Sequence, residues 1–265
     1  MSNFTTIAPK YRQTATLQKS ASERLLDMLA ISRTDDVLDL GCGTGHITQT
    51  IRLQTDGFVV GIDPSEGMIA EARCNVAQNV AFHVGSAEGL NMPGQFDAIF
   101  CNSAFQWFRE PSLAVSNCHA ALRTGGRIAV QAPARSNYCP NFVRATESLK
   151  HDRRTQGAFA HFHSPWFFLE TSQDYSNIFT MVGLHVLTSE IEDITQHCTP
   201  TKAIEMFESG AAAGYLNPDC YDIELPSDFI STARELIALS FHAQAASDGQ
   251  VELTFSRIYL MARKP

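Results

Sequence analysis

In VLDLGCGTGH, residues 37–46, three glycines spaced two apart follow a short apolar run. Glycine lets backbone approach a ligand with no side chain in the way. A strand, such a turn and a helix start in succession make a nucleotide-site candidate. Spacing argues against two phosphate sites. The dinucleotide fingerprint is G-x-G-x-x-G, whereas Gly41, Gly43 and Gly45 read G-x-G-x-G with His46 in the last place. No Lys-Ser/Thr pair follows, as a P-loop requires. Asp39, two residues before Gly41, points further. A carboxylate at the mouth of the strand repels a pyrophosphate and suits a ligand with a positively charged amino group.

S-adenosylmethionine has an ammonium, a sulfonium, a ribose and an adenine, and no phosphate. Downstream residues match its parts. Asp63, ending the run after FVVGI, can take both ribose hydroxyls; it also reads as a helix N-cap, with Pro64 at the first helical position. Met68 can pack on the adenine face or simply fill core. Ser86, Ala87 and Glu88 bring polar groups and backbone N–H to the adenine edge, and Cys42 lies inside the glycine turn itself.

Methyl transfer asks the protein to align donor and acceptor and to exclude water. The candidate acceptor wall is NSAFQWF, residues 102–108. Asn102 and Gln106 can donate through their amides and Ser103 through its hydroxyl. Phe105, Trp107 and Phe108 can screen a sulfonium from water and offer it an aromatic face, or they can pack an insertion against the sheet. A carboxylate acceptor is already ionised at neutral pH and needs no general base, whereas a phenol or amine usually benefits from one. It does want a cation, for which Arg135, Arg144, Arg153 and Arg154 are available. His161 and His163 have no third metal ligand in sight, so no metal is expected; they read best as surface or packing residues.

These residues need elements to hold them. Leu25, Leu26, Leu29 and Ala30 share one face of a helix over 18–31. Strands over 37–40, 58–62, 80–84, 96–101 and 127–132 alternate with helices over 44–53, 65–77 and 112–122. This rhythm gives an α/β fold, a doubly wound and mostly parallel sheet. Beyond residue 133 the pattern breaks. Helices over 174–182, 201–213 and 227–245 and strands over 185–194 and 251–262 complete one domain of seven strands. The stretches 134–170 and 199–248 are expected to be insertions forming a helical cap over the carboxyl edge of the sheet, where ligands bind in open α/β sheets.

VLDLGCGTG, GIDPSEGMIAEAR, GSAEGL, FDAIFCNSAFQWF and LRTGGRIAV, in that order over about residues 35–132, resemble the motifs of class I S-adenosylmethionine-dependent methyltransferases. The N-terminal and C-terminal stretches are similar to the branch containing trans-aconitate methyltransferase and malonyl-carrier-protein methyltransferase. The resemblance implies a Rossmann-like fold with S-adenosylmethionine as cofactor. It puts Gly41, Gly43 and Gly45 against the methionine part, Asp63 on the ribose, Met68 beside the adenine and Asn102 near cofactor and substrate. Ser86 stands where many relatives carry an acid that accepts from the adenine amino group. Tyr11 and Gln18 fall in an N-terminal segment that in relatives closes over the cofactor, and Tyr11, Gln106 and Trp107 are the residues expected beside the reacting groups.

Composition bounds the partners. The net charge of −8 argues against a large nucleic-acid footprint. Lys150, Arg153 and Arg154 form the one basic concentration and read as a solvated helix face. No stretch is long and apolar enough for a membrane span, and MSNFTTIAPKYRQ lacks a signal-peptide core. Seven scattered cysteines without C-x-x-C fit a reducing, cytoplasmic setting. The expected reaction is methyl esterification of a small carboxylic acid. The alternatives are a carrier-protein-bound acyl carboxylate, a phenol, amine or carbon acceptor in secondary metabolism, and a non-catalytic cofactor-binding module.

Overall fold

The computed structural model describes residues 16–265. Helix α1 (Thr16–Leu29) buries Leu25, Leu26 and Leu29, as their spacing requires. There follow β1 (Val37–Leu40), α2 (His46–Arg52), β2 (Val59–Asp63), α3 (Glu66–Ala72), β3 (Val80–Val84), β4 (Phe96–Asn102), α4 (Pro111–Ala121) and β5 (Leu122–Pro133). Then come α5 (Pro140–His151), α6 (Gln156–Phe159), α7 (Ser172–Met181), β6 (His185–Cys198), α8 (Pro200–Ser209), α9 (Ala212–Tyr215), α10 (Phe229–Ala243) and β7 (Val251–Arg263). None of the described helices is long and apolar enough to cross a membrane.

The strands form one seven-stranded sheet in the order β3-β2-β1-β4-β5-β7-β6. β1 to β5 are parallel, and β7 inserts antiparallel between β5 and β6. β1 is buried at every residue, which suits a central strand covered on both faces. The strand order reverses between β1 and β4, so their carboxyl ends open a crevice between the connections leaving them. One face of the sheet packs Leu25 and Leu29 of α1 on Phe100, Ala129 and Tyr259. The other packs Val115 and Cys118 of α4 and Tyr175 and Phe179 of α7 on Ile99, Val130 and Leu260.

A third core lies beyond the sheet. β6 pairs with β7 from His185↔Arg263 to Cys198↔Val251, whereas β5 pairs with β7 only as far as Pro133↔Arg257. Residues 193–198 and 251–256 therefore run on as a two-stranded ribbon past the carboxyl end of β5. Val251, Leu253 and Phe255 turn one face of that ribbon to α5, α8 and α10, around Phe142, Phe207 and Phe241. Phe142 meets the rings of Phe207, Phe241 and Phe255 edge-on at 5.3–5.6 Å between centroids.

Several boundaries differ from the sequence expectation. β6 runs to Cys198 rather than Ile194, because pairing with β7 holds its polar tail extended. The helix expected over 201–213 breaks at Gly210 into α8 and α9. The helix expected over 65–77 is α-helical only to Ala72 and ends in a 3₁₀ turn, Arg73–Asn75. The stretch 134–170, irregular by pattern, holds α5, which Pro140 opens and Phe142, Ala145, Thr146 and Leu149 bury.

Candidate active site

The glycine turn leaves β1 at the crevice. Gly41, Gly43 and Gly45 all have positive φ (79°, 54° and 76°), a region that side chains rarely adopt. Packing further restricts Gly41, where a Cβ would stand 2.3 Å from the Cβ of Ala104. Its N–H and that of Cys42 both donate to the Ile62 carbonyl (2.7 and 3.0 Å), tying the turn to β2. Gly43 differs. A Cβ there would meet nothing within 4 Å, so the open space beside this backbone belongs to the crevice. Cys42 turns its side chain toward Ile69, Ala72 and Phe82, and burial pushes its thiol far up, so it presents only backbone.

Two carboxylates stand under the turn. Asp63 Oδ2 accepts the Gly43 N–H (3.0 Å) and Oδ1 accepts the Ser65 N–H (2.9 Å), so one side chain joins the end of β2, the turn and the approach to α3. The N-cap of α3 is Ser65, whose Oγ accepts from the Met68 N–H (3.3 Å), which corrects the expected cap at Asp63 with Pro64 as the first helical residue. Asp39 is buried and accepts from Thr48 Oγ1 (2.6 Å). Burial pushes its carboxyl up to about 7; the Thr48 bond opposes this and the Asp63 charge adds to it. Burial also raises Asp63, against the two backbone N–H bonds it receives. Two neighbouring desolvated carboxylates favour an incoming cation. The residues present thus fit a ligand with a cationic amino-acid end, approached by the open backbone at Gly43.

Met68 is buried in the first turn of α3. The 85–90 turn is less open than the sequence implied. Ala87 points into the sheet core, Ser86 Oγ accepts from the Gly89 N–H (3.2 Å), and Glu88 Oε1 accepts from the N–H groups of Arg109 and Glu110 (2.8 and 3.4 Å). The Glu88 side chain braces the loop before α4, so what this segment offers a ligand is chiefly its backbone and the Ser86 hydroxyl proton.

The acceptor wall departs further. Asn102 ends β4 beside the glycine turn. Ser103 has φ of 55°, a conformation unusual for serine, and its N–H is held by the Gln131 carbonyl (2.7 Å). The Gln131 side chain, wholly buried on β5, satisfies every neighbour in one amide orientation. Its Nε2 then donates to Asn102 Oδ1 (2.9 Å) and Ser103 Oγ (3.1 Å), while its Oε1 accepts from Arg257 Nη1 (2.9 Å). Gln106, expected as an amide donor, directs one N–H of its Nε2 to the Ser103 carbonyl (2.8 Å). Its Oε1 is buried and receives no hydrogen bond from the described residues, so Gln106 also offers an acceptor. Phe105 stacks on Phe179 (5.9 Å) and packs on Phe108, Phe167 and Tyr175 inside the sheet core, which removes it from the screening role. Trp107 is half-buried against Trp166 (5.6 Å), which reaches Tyr215 of the cap (4.9 Å).

The cap arginines read from the sequence lie toward solvent. Arg135 pairs with Asp193 and Arg154 with Asp152 and Glu235, while Arg144 and Arg153 are exposed. His163 contacts Asp222, and among the described residues no His, Cys, Asp and Glu cluster could hold a metal. Tyr11 lies outside the described residues, and Gln18 falls in the first turn of α1, where backbone alone is described. Sequence reasoning missed Gln131 and Arg257. Arg257 did leave a signal: in VELTFSRIY it takes the apolar phase set by Val251, Leu253, Phe255 and Tyr259.

Residues 37–126 match the methyltransferase-domain family model. The chain is 25% identical over 261 residues to the trans-aconitate 2-methyltransferase of Methylobacterium nodulans, covering 97% of each. It is 30% identical over 127 residues to the malonyl-[acyl-carrier protein] O-methyltransferase of Calditerrivibrio nitroreducens, a match spanning 47% of this chain and 50% of that one. The fold is shared with the YcgJ protein of Bacillus subtilis (TM-score 0.61, 17% identity, covering 93% of this chain and 98% of that one). The chain carries a methyltransferase domain over residues 37–126 and is an S-adenosylmethionine-dependent methyltransferase similar to the trans-aconitate and malonyl-carrier-protein enzymes.

Proposed function

We propose that this chain methylates a carboxylate of a small acid, giving a methyl ester. The observation that carries the reading is the chemistry at the carboxyl edge of β4, β5 and β7. Asn102, Ser103, Gln131 and Arg257 form one hydrogen-bonded set of amides, a hydroxyl and a guanidinium. Such a set receives an anion and contains no base, and a carboxylate acceptor needs none. The names of both relatives, a trans-aconitate 2-methyltransferase and a malonyl-[acyl-carrier protein] O-methyltransferase, favour the same chemistry.

The residues divide the work. Asp39, with the backbone of Gly41, Cys42, Gly43 and Gly45, holds the amino-acid end of the cofactor. Asp63 takes the ribose, and Met68 with the 86–88 backbone flanks the adenine. When bound, S-adenosylmethionine supplies a methyl group on a positively charged sulfur, whose transfer to a carboxylate oxygen leaves a neutral thioether and moves no proton. Asn102 orients the acceptor, Trp107 excludes water, and the cap formed by 134–170 and 199–248 closes the acceptor side. A free small acid is favoured over a carrier-protein substrate because the Lys150–Arg154 patch is largely neutralised. Lys150 pairs with Glu147, and Arg154 with Asp152 and Glu235.

The test is a product screen with S-adenosylmethionine against mono-, di- and tricarboxylic acids, trans-aconitate among them, and against phenols, amines and malonyl carrier protein. The expected product is one methylene heavier than a free acid and reverts to it in mild alkali, as an ester does. A product that survives alkali, or one formed only from a phenol, an amine or the carrier protein, overturns the reading.

A further inference from the structure

One backbone hydrogen bond brings the cap to the turn that follows β4. The Phe167 N–H donates to the Gln106 carbonyl (2.7 Å), so residues 166–168 run beside residues 105–107. The two segments sort their rings by side. Phe105 and Phe167 pack on each other in the sheet core (6.2 Å). Trp107 and Trp166 meet each other instead (5.6 Å), and Trp166 goes on to Phe168 (6.1 Å) and to Tyr215 of the cap (4.9 Å). The cap makes room for this indole: a Cβ on Gly214 of α9 would stand 2.3 Å from it. Trp107, Trp166, Phe168 and Tyr215 are only half-buried despite these contacts. Part of an aromatic wall between the end of β4 and the cap is therefore accessible.

Beside that wall stands an unanswered acceptor. Gln106 is 7% exposed, and its Oε1 receives no hydrogen bond from the described residues. The amide cannot turn over to escape this. Its Nε2 donates to the Ser103 carbonyl, and a swap would set two oxygens together. The orphan oxygen thus lies near Ser103, the residue after Asn102. Leaving a buried acceptor unpaired is costly, and native proteins seldom do so without a ligand or a water to complete the pair. Oε1 wants an N–H or an O–H; a carboxylate or an ether oxygen would repel it. The wall next to it carries rings and no charge, so a second carboxylate gains nothing there, whereas a planar apolar ring gains stacking area.

We propose that the acceptor is an aromatic monocarboxylic acid whose ring bears a hydroxyl or N–H, and that Gln106 and Trp166 read those two features. The inference rests on the esterification reading above. Gln106 Oε1 takes the donor and Trp166, with Trp107, takes the ring. The carboxylate is left near Asn102 with its attacking lone pairs free. A phenolic hydroxyl is protonated at neutral pH and so can donate. The mark of such a site is discrimination by donor: a hydroxyl is preferred both to hydrogen and to a methoxy group at the same ring position.

The experiment uses benzoate, its meta- and para-hydroxy derivatives and the matching methoxy derivatives, with trans-aconitate for comparison. Ester formation gives KM and kcat for the wild-type chain, Gln106→Leu and Trp166→Leu, and calorimetry gives S-adenosylmethionine affinity. In the wild type one hydroxybenzoate is expected to exceed benzoate, its own methoxy derivative and trans-aconitate in kcat/KM by about tenfold or more. Gln106→Leu is expected to raise the KM of that hydroxybenzoate about tenfold, to erase its advantage over benzoate and to leave cofactor affinity unchanged. Trp166→Leu is expected to raise the KM of benzoate and hydroxybenzoate alike, about three- to tenfold, and to keep the hydroxyl preference. If the leucine variant at 106 fails to fold, the wild-type series with Trp166→Leu decides. Aromatic acids turned over no better than trans-aconitate, hydroxyl and methoxy treated alike, a hydroxyl preference that survives Gln106→Leu, or a loss of cofactor affinity in that variant overturns the inference and leaves esterification standing. An alkali-stable product, or no ester from any acid in the wider screen, removes esterification and this inference with it.

Discussion

Around Gly43 the protein presents backbone, shaped by three positive-φ glycines over two buried carboxylates, whereas around Trp107 and Arg257 it presents side chains carried on β4, β5, β7 and the cap. The first half comes from neighbouring stretches, residues 39–68, with the turn hydrogen-bonded directly to β2. The second joins Asn102, Gln131 and Arg257 from three strands and Trp107 to Trp166 across an insertion. Backbone N–H and C=O groups are the same whatever residue carries them, so the first half suits a constant cofactor. Side chains on separate elements can be exchanged singly, so the second suits an acceptor that differs between enzymes.

That division can be broken most directly in the cap. Phe142→Ala is expected to cost about 3–5 kcal/mol of stability, because the ring contacts three other phenylalanines in a closed core. Acceptor turnover should fall, with the S-adenosylmethionine Kd staying within about threefold by calorimetry. Cofactor affinity dropping in step would mean that the halves are not separable.

Asp39→Asn should do the converse. Cofactor affinity is expected to fall about 30- to 100-fold with the loss of a desolvated ionic partner. In the ligand-free protein the Asp39 carboxyl titrates near 7, above its unfolded range, so the folded state binds the extra proton between these values. Stability from this group is therefore lost as pH rises from about 4 through 7. The asparagine variant should melt a few degrees higher than wild type at pH 8 when both are ligand-free. A bound cation requires the ionised form, so wild-type cofactor affinity should weaken below about pH 7, approaching tenfold per pH unit, while the variant stays flat. A variant that melts lower at pH 8 would contradict this account of Asp39.

Gly43→Ala sharpens the comparison on a smaller scale. A methyl there meets no protein atom, so the stability cost should be the left-handed strain alone, about 1–2 kcal/mol. Cofactor affinity should fall about tenfold, because the methyl points into the crevice. An unchanged Kd would move the ligand away from this backbone. The smallest effect is expected from reversing Lys150, Arg153 and Arg154 to glutamate. Two of the three are already paired on the surface, so small-acid turnover should change less than about twofold. A larger loss would tie that face to the acceptor.

The half proposed to hold the cofactor was legible in the sequence because its constraints are local. Three glycines at spacing two, an acid before them and another at the end of the next strand each reflect a backbone or charge requirement within one β-α-β unit. The alternation of apolar runs with helical periods likewise declared a parallel sheet, since strands buried on both faces must be apolar throughout. Tertiary structure decided the rest. Only the β6–β7 register shows that a ribbon runs past the sheet and carries the cap, because strand length is set by a distant partner. Only packing turns Phe105 into the core while leaving Trp107 at the cap, since residues two apart in one short turn face different ways. And only the meeting of β4, β5 and β7 makes a set of Asn102, Gln131 and Arg257, three polar residues whose shared chemistry no spacing along the chain encodes.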